Sequence, residues 1–189
     1  ARALGIETRP VLLGPVTYLK LGKVRSGALD SLSLIDSIIP TYAEIFRRLE
    51  KAGAAWVQID EPALALDLDE AARAAFVRAY DELKLAAPRL KIMLTSYFGG
   101  LGDNQALALS LPVSGVHLDL VRAPEELESV VRNAPADFTL SLGVIDGRNV
   151  WRADLEAILD RIEPLARERD LIIAPSCSLL HTPVDLALE

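Results

Sequence analysis

The chain has 189 residues, which suits one domain or a large part of one. Half of it is hydrophobic (51%), a quarter is charged (25%), and the net charge is −7. That balance is ordinary for a globular protein and argues against nucleic acid or an anionic membrane as partner, since both select a basic face.

One cysteine, Cys177, excludes an internal disulfide, and a reducing cytoplasm is the default expectation. No apolar run approaches the roughly 20 residues of a membrane span. The chain opens with Ala-Arg-Ala-Leu-Gly-Ile-Glu and closes with Pro-Val-Asp-Leu-Ala-Leu-Glu. Both ends read as cuts in a longer chain.

Pro10-Val-Leu-Leu-Gly-Pro15 predicts a short buried strand. Lys20, Lys23 and Arg25 follow as a basic cluster able to meet an anion, although such clusters are commonly solvated loop. Leu32 to Ala52 is helical by period, with Tyr42, Ile45, Phe46, Leu49 and Ala52 on one face and Gly53 as the stop. Pro40 inside that pattern predicts a kink or a break.

Trp56-Val-Gln-Ile-Asp60 is the next strand. Its apolar run ends abruptly in Asp60 and Glu61, and Pro62 marks the exit from the sheet. In α/β folds ligands are met at the carboxyl ends of strands, so these acids are site candidates. Neighbouring strand residues point to opposite faces, however, so the two cannot both aim at one ligand from a regular strand.

Asp69 predicts the N-cap of a helix running to about Ala86, with Phe76, Tyr80 and Leu83 buried. Leu90–Tyr97 is the third strand. The Gly99–Gly102 loop lacks a G-x-G-x-x-G fingerprint, and Asp103 is expected to cap a short helix ending near Ser110. Gly115–Asp119 is the fourth strand, again ending in an acid. Pro124-Glu-Glu-Leu opens a helix. Phe138–Val144 is the fifth strand. It leads through Asp146-Gly-Arg-Asn149 to a helix from about Trp151 to Arg167 with Leu155, Leu159, Ile162 and Leu165 buried. Leu171–Ala174 is the sixth strand.

The fold class is therefore α/β, with strand centres recurring about every 30 residues, as in a (β/α)8 TIM-type barrel. A doubly wound open sheet is the alternative. The barrel is preferred because strand after strand ends in polar residues and no glycine-rich phosphate loop follows the first strand. Six of eight strands are legible.

The strand ends gather Thr17, Asp60, Glu61, Ser96, Tyr97, His117, Asp119, Asp146, Arg148, Asn149, Cys177 and His181. Cys177 and His181 with Asp119 make a thin donor set for zinc, which takes three or four protein ligands. A Cys177–His181 nucleophile pair has no supporting signature. Asp60, Asp119 and Asp146 could pair for glycoside chemistry or another hydrolase or lyase reaction, although few aromatics accompany them.

Four motifs, in order, go further: Gly14-Pro-Val-Thr17, Val57-Gln-Ile-Asp-Glu-Pro-Ala63, Gly147-Arg-Asn-Val-Trp-Arg-Ala-Asp154 and Ser176-Cys-Ser-Leu-Leu-His181. Together they resemble the cobalamin-independent methionine synthase family over the whole chain. That resemblance implies a methyltransferase that moves a methyl group from 5-methyltetrahydropteroyl-polyglutamate to homocysteine. It implies two (β/α)8 barrels, with residues 1–189 matching the N-terminal one from about its third strand.

The zinc and homocysteine of the family belong to the C-terminal catalytic barrel, which would be this chain's partner. Overlaying the zinc pattern of that barrel puts Leu94, Ser96, Asp119 and Cys177 at its four donor positions. Two donors are lost, so no metal or other cofactor is expected on this chain. Asp60 matches the acid that contacts homocysteine in the catalytic barrel. The resemblance supplies no catalytic residue here. It leaves Asp60, Glu61, Asp119, Asp146, Arg148 and Asn149 as candidate substrate contacts. The expected role is scaffolding and a wall of the folate cleft, inactive alone. The alternative is a non-catalytic binding module that self-associates through open sheet edges.

Overall fold

The computed structural model describes residues 4–23 and 30–182, and for His181 the backbone alone. Arg25 of the predicted basic cluster and the Pro183–Glu189 terminus lie outside the described residues. Six strands, β1 (Val11–Leu13), β2 (Trp56–Asp60), β3 (Lys91–Thr95), β4 (Gly115–Asp119), β5 (Thr139–Ile145) and β6 (Leu171–Pro175), form one sheet. All are parallel, and their order in the sheet is their order in the chain. A doubly wound sheet reverses direction at a switch point, and this one never does. The architecture is six strands of a TIM-type barrel, curved with the lumen on one face and helices on the other.

Helices α1 (Pro15–Leu21) and α2 (Ile35–Lys51) lie between β1 and β2. Helices α3 (Glu70–Ala86), α4 (Gln105–Ser110), α5 (Glu126–Asn133) and α6 (Leu155–Ala166) each fill one later connection. Register separates the two faces of the sheet. Leu12, Ile59, Leu94, Val116, Leu140 and Leu171 stand side by side. They pack into one core with Phe46, Phe76, Tyr80 and Leu83 of the helices. Each fully buried side chain of this kind contributes about 1.5–3 kcal/mol. The adjacent row, Leu13, Asp60, Thr95, His117, Ser141 and Ile172, faces the lumen. The core is thus outside the strands, and the polar row is inside.

Several sequence expectations are corrected. The first strand is not buried: Val11 and Leu13 are exposed, because β1 is an edge strand with one strand neighbour among the described residues. Helix α2 is not broken at Pro40. Pro40 sits in its second turn, where the missing N–H deprives only the Asp36 carbonyl, and both residues are exposed to water. Asp103 caps nothing. The amides before α4 are instead held by Glu126, whose carboxylate accepts from Leu101 N–H (2.8 Å) and Gly102 N–H (2.6 Å). Helix α6 starts at Leu155 rather than Trp151, because Asp154 caps it by accepting from Ala157 N–H (3.1 Å). Its packed stripe is Ile158, Ile162 and Leu165, whereas Leu155 and Leu159 are exposed. The Asp69 cap is as expected, accepting from Ala72 N–H at 2.7 Å.

Candidate functional site

The carboxyl ends of all six strands open on one side of the arc, and three polar assemblies stand there. The first is built on β2. Gln58 and Asp60 are two residues apart and share the lumen face. Arg9 Nη2 donates to Gln58 Oε1 (2.9 Å), Gln58 Nε2 donates to Asp60 Oδ1 (2.8 Å), and Tyr97 OH donates to Asp60 Oδ2 (3.2 Å). Partial burial pushes the Asp60 carboxyl up, against the pull of Gln58, Tyr97 and Arg9. The Thr95 hydroxyl on the same lumen row is buried and has no hydrogen-bond partner among the described residues. Asp60 is therefore a half-buried carboxylate at the lumen mouth, oriented by a side-chain chain that begins at Arg9.

The second assembly is built around Glu61. One residue past Asp60, its side chain turns to the helix layer and is fully buried. Its carboxylate accepts from Val16 N–H (3.3 Å), Thr17 N–H (2.7 Å) and Tyr80 OH (3.4 Å). Helix α1 begins at a glycine that offers no side-chain cap, and Glu61 closes the first turn from 45 residues away. Thr17 Oγ1 in turn accepts from Ala63 N–H (3.1 Å). The Gly-Pro-Val-Thr and Asp-Glu-Pro-Ala motifs are two halves of one structural clasp. Burial raises the Glu61 carboxyl to about 7, with the bonds from Thr17, Val16 and Tyr80 opposing.

The third assembly joins β3 to β6. Asp119 Oδ2 accepts from Phe98 N–H (2.9 Å) and Arg122 Nη1 (3.2 Å), and Oδ1 accepts from Arg122 N–H (3.1 Å). Arg122 also lies 3.9 Å from Asp146 Oδ1 and 3.5 Å from Ser176 Oγ. Ser176 Oγ accepts from Gly147 N–H (3.1 Å). His117 meets Ser141 Oγ through Nδ1 (2.9 Å) and the Ser176 carbonyl through Nε2 (3.3 Å). Burial lowers the affinity of His117 for a proton. Phe98 sits at φ 70°, a conformation that costs a bulky residue energy, and the Asp119 bond helps hold it there. The Arg148 guanidinium lies 5.2 Å from the Phe98 ring centroid, at cation–π distance. Arg148 and Asn149 are exposed, and Asp146 is partly so.

Of the candidate contacts, Asp60, Asp146, Arg148 and Asn149 stand at the mouth within reach of solvent. Asp119 is buried and held by its own loops. Sequence reasoning missed Arg9, Gln58, Arg122 and Ser176. Arg122 carried one legible signal, a cation three residues after a strand-end acid. Arg9 carried none, and Ser176 was visible only as the first residue of a motif, because their partners are distant in the chain.

The residues present do not fit zinc. Leu94 lies in the helix-facing core, on the wrong side of the sheet for the overlay position given above. Asp119 is engaged by Arg122, and burial raises the Cys177 thiol, disfavouring the thiolate a metal requires. Among the described residues no three His, Cys, Asp or Glu side chains converge. None of the described helices is long and apolar enough to cross a membrane. A groove of about 770 Å³ between α5 and α6, lined by Leu127, Val131 and Leu165 among others, belongs to the helix layer and includes no strand-end candidate.

Residues 1–170 match the family described as cobalamin-independent synthase, N-terminal domain. A protein of Nitrobacter winogradskyi named 5-methyltetrahydropteroyltriglutamate–homocysteine methyltransferase is 61% identical over 192 aligned positions, covering all of this chain and 25% of that protein. Proteins of the same name from Rhodopseudomonas palustris and Caulobacter vibrioides are 60% and 59% identical over the whole chain. The chain thus spans about a quarter of the length of these curated relatives. A Listeria monocytogenes crystal structure, provisionally named a vitamin-B12-independent methionine synthase, superposes with a TM-score of 0.68 at 20% identity. The match covers 90% of this chain and 57% of that one.

Proposed function

Since the chain belongs to the family of cobalamin-independent synthase N-terminal domains, we propose that it is the scaffolding barrel of a two-barrel methyltransferase. The reaction served moves a methyl group from 5-methyltetrahydropteroyl-polyglutamate to homocysteine. The zinc that activates the homocysteine thiol belongs to the remainder of the polypeptide, in the cytoplasm. This chain contributes a wall of the folate cleft through Asp60, Asp146, Arg148 and Asn149, and has no activity alone.

One observation carries the reading. The connections that lead into β3, β4 and β5 bury their large apolar residues, Leu90, Leu111, Val113 and Phe138, while Leu4 and Ile6 ahead of β1 are exposed. The carboxyl-end loops bury Leu64, Leu101 and Leu120 beneath them but leave Phe98, Val121, Val150, Trp151, Leu179 and Leu180 exposed. An apolar rim around a polar mouth supports docking onto another body rather than a free, solvated active site. Inside that rim, Glu61 and Asp119 serve the fold, which supports scaffolding over catalysis. The test is a methyl-transfer assay on the 189-residue chain and on the full-length polypeptide. Turnover is expected from the full-length polypeptide only. Homocysteine methylation by the 189-residue chain would overturn the reading.

A second reading, a self-associating binding module, is favoured by the exposed Leu155, Leu159 and Ile173 and by β6, which has one strand neighbour among the described residues.

A further inference from the structure

The rim is not uniform. Trp151 is 80% exposed, in a loop on which a large apolar side chain has no internal packing role. We propose that Trp151 is the anchoring side chain through which this barrel arc grips the remainder of its polypeptide. The inference rests on the docking reading above and adds the residue that holds the contact.

Three observations support it. First, the occupant is defined by length: relatives matching the whole chain are about four times longer, so a large body adjoins this arc. Second, the loop is pre-organised. Gly147 N–H donates to Ser176 Oγ (3.1 Å), and the Thr182 hydroxyl donates to the Gly147 carbonyl. Arg148 N–H donates to Asp146 Oδ1 (2.9 Å) and Val150 N–H to Asn149 Oδ1 (2.9 Å). Asp154 then fixes the far end as the α6 cap. A loop held at both ends loses little freedom on docking, which is the cost that otherwise erodes an interface. Third, tryptophan concentrates binding energy when it fills a partner pocket, and a rim of smaller apolar groups excludes water around it. Exposed apolar groups of that kind are Val150, its chain neighbour, and Leu179 and Leu180, in the segment that Thr182 ties to Gly147. Charged groups of both signs, Arg148 against the Phe98 ring and the exposed Arg152, Asp154 and Glu156, surround Trp151, so the partner's pocket is apolar with a mixed polar edge.

The experiment is hydrogen–deuterium exchange on the full-length polypeptide, wild type against Trp151→Ala, Leu180→Asp and a control, Leu85→Ala. Leu85 is 75% exposed on α3, away from the rim. Trp151→Ala is expected to speed exchange about tenfold or more in segments 96–101, 120–125 and 176–182, as loss of a hot spot does. The β2–β4 amides and the control are expected to stay as in wild type. Unchanged exchange in Trp151→Ala overturns the anchor. If Leu180→Asp still opens the segments, the docking reading survives; if neither variant does, both fall. Acceleration of the β2–β4 amides by Trp151→Ala would show a structural role and also overturn the anchor.

Discussion

Gly14 and Glu61 are one carbon short of collision. A β-carbon on Gly14 would stand 2.0 Å from Glu61 Cδ and 2.1 Å from Oε1. The strand-end acid can close the α1 turn only because the residue opposite has no side chain. Gly14→Ala must therefore expel the carboxylate or shift α1. Overpacking of this kind costs about 3 kcal/mol, measured by urea unfolding. In a double-mutant cycle Gly14→Ala and Glu61→Ala should be markedly non-additive, since the second change removes the atoms the first one hits. Additive costs would show that the clasp does not operate.

Glu61 also gives stability a pH dependence with a definite sign. Its carboxyl titrates near 4.5 in the unfolded chain and at about 7 when buried. Below pH 4.5 both states hold the proton. Between 4.5 and 7 the unfolded state releases it and the folded state keeps it, so stability falls as pH rises. Above 7 both are ionised and the loss is complete, on the order of 3 kcal/mol. His117 works oppositely: its lowered proton affinity removes stability as pH falls below 6.5. The two slopes overlap, so the wild-type curve alone is not diagnostic. The stability difference between wild type and Glu61→Gln isolates the first. Wild type should lose stability relative to Glu61→Gln as pH rises from 4.5 to 7, and a flat difference would refute the assignment.

Asp119 is the pin of the mouth loops. Its buried carboxylate serves the Phe98 amide, the Arg122 amide and the Arg122 guanidinium. Asp119→Ala leaves Arg122 with only the more distant Asp146 and Ser176 and removes one bond that holds Phe98 at a positive φ. Removing one partner of such a pair costs about 3–5 kcal/mol, the lower end applying because the Arg122 side chain keeps 27% exposure. Asp119→Asn retains an acceptor and should cost less. Limited proteolysis after Phe98 should quicken in the order wild type, Asn, Ala. Equal rates would mean the loop is held by other contacts.

How much was legible follows from which interactions are local. The Asp69 cap and the Phe76–Tyr80–Leu83 stripe each depend on residues a few positions apart, and sequence spacing reports them. The alternation at Asp60 and Glu61 is also local, and it correctly denied them a common target. Which of the two turned inward depended on register with Leu13 and Thr95, which no local pattern encodes. Leu155–Leu159 and Ile158–Ile162–Leu165 are both acceptable helical stripes, and only the neighbouring α5 decides between them. Arg9 and Ser176 act on partners 49 and 29 residues away, so their roles appear only in the folded chain.

Ile173 points to the helix side of its strand yet is 53% exposed, because among the described residues no helix follows to cover it. Leu155 and Leu159 of α6 expose a parallel apolar stripe. An uncovered strand edge beside such a stripe is a template for pairing with another chain. The 189-residue chain on its own should therefore self-associate in a concentration-dependent way. Size-exclusion chromatography with light scattering should show mass above 20.5 kDa at high concentration. Ile173→Lys places a charge at the centre of the surface without touching the buried core, and should return the chain to monomer. Ile173→Lys eluting as wild type would locate the contact elsewhere, the carboxyl-end rim being the next surface to charge. In the full-length polypeptide the same substitution should lower Tm instead, since the covering element would then come from the same chain and its packing would be broken within one molecule.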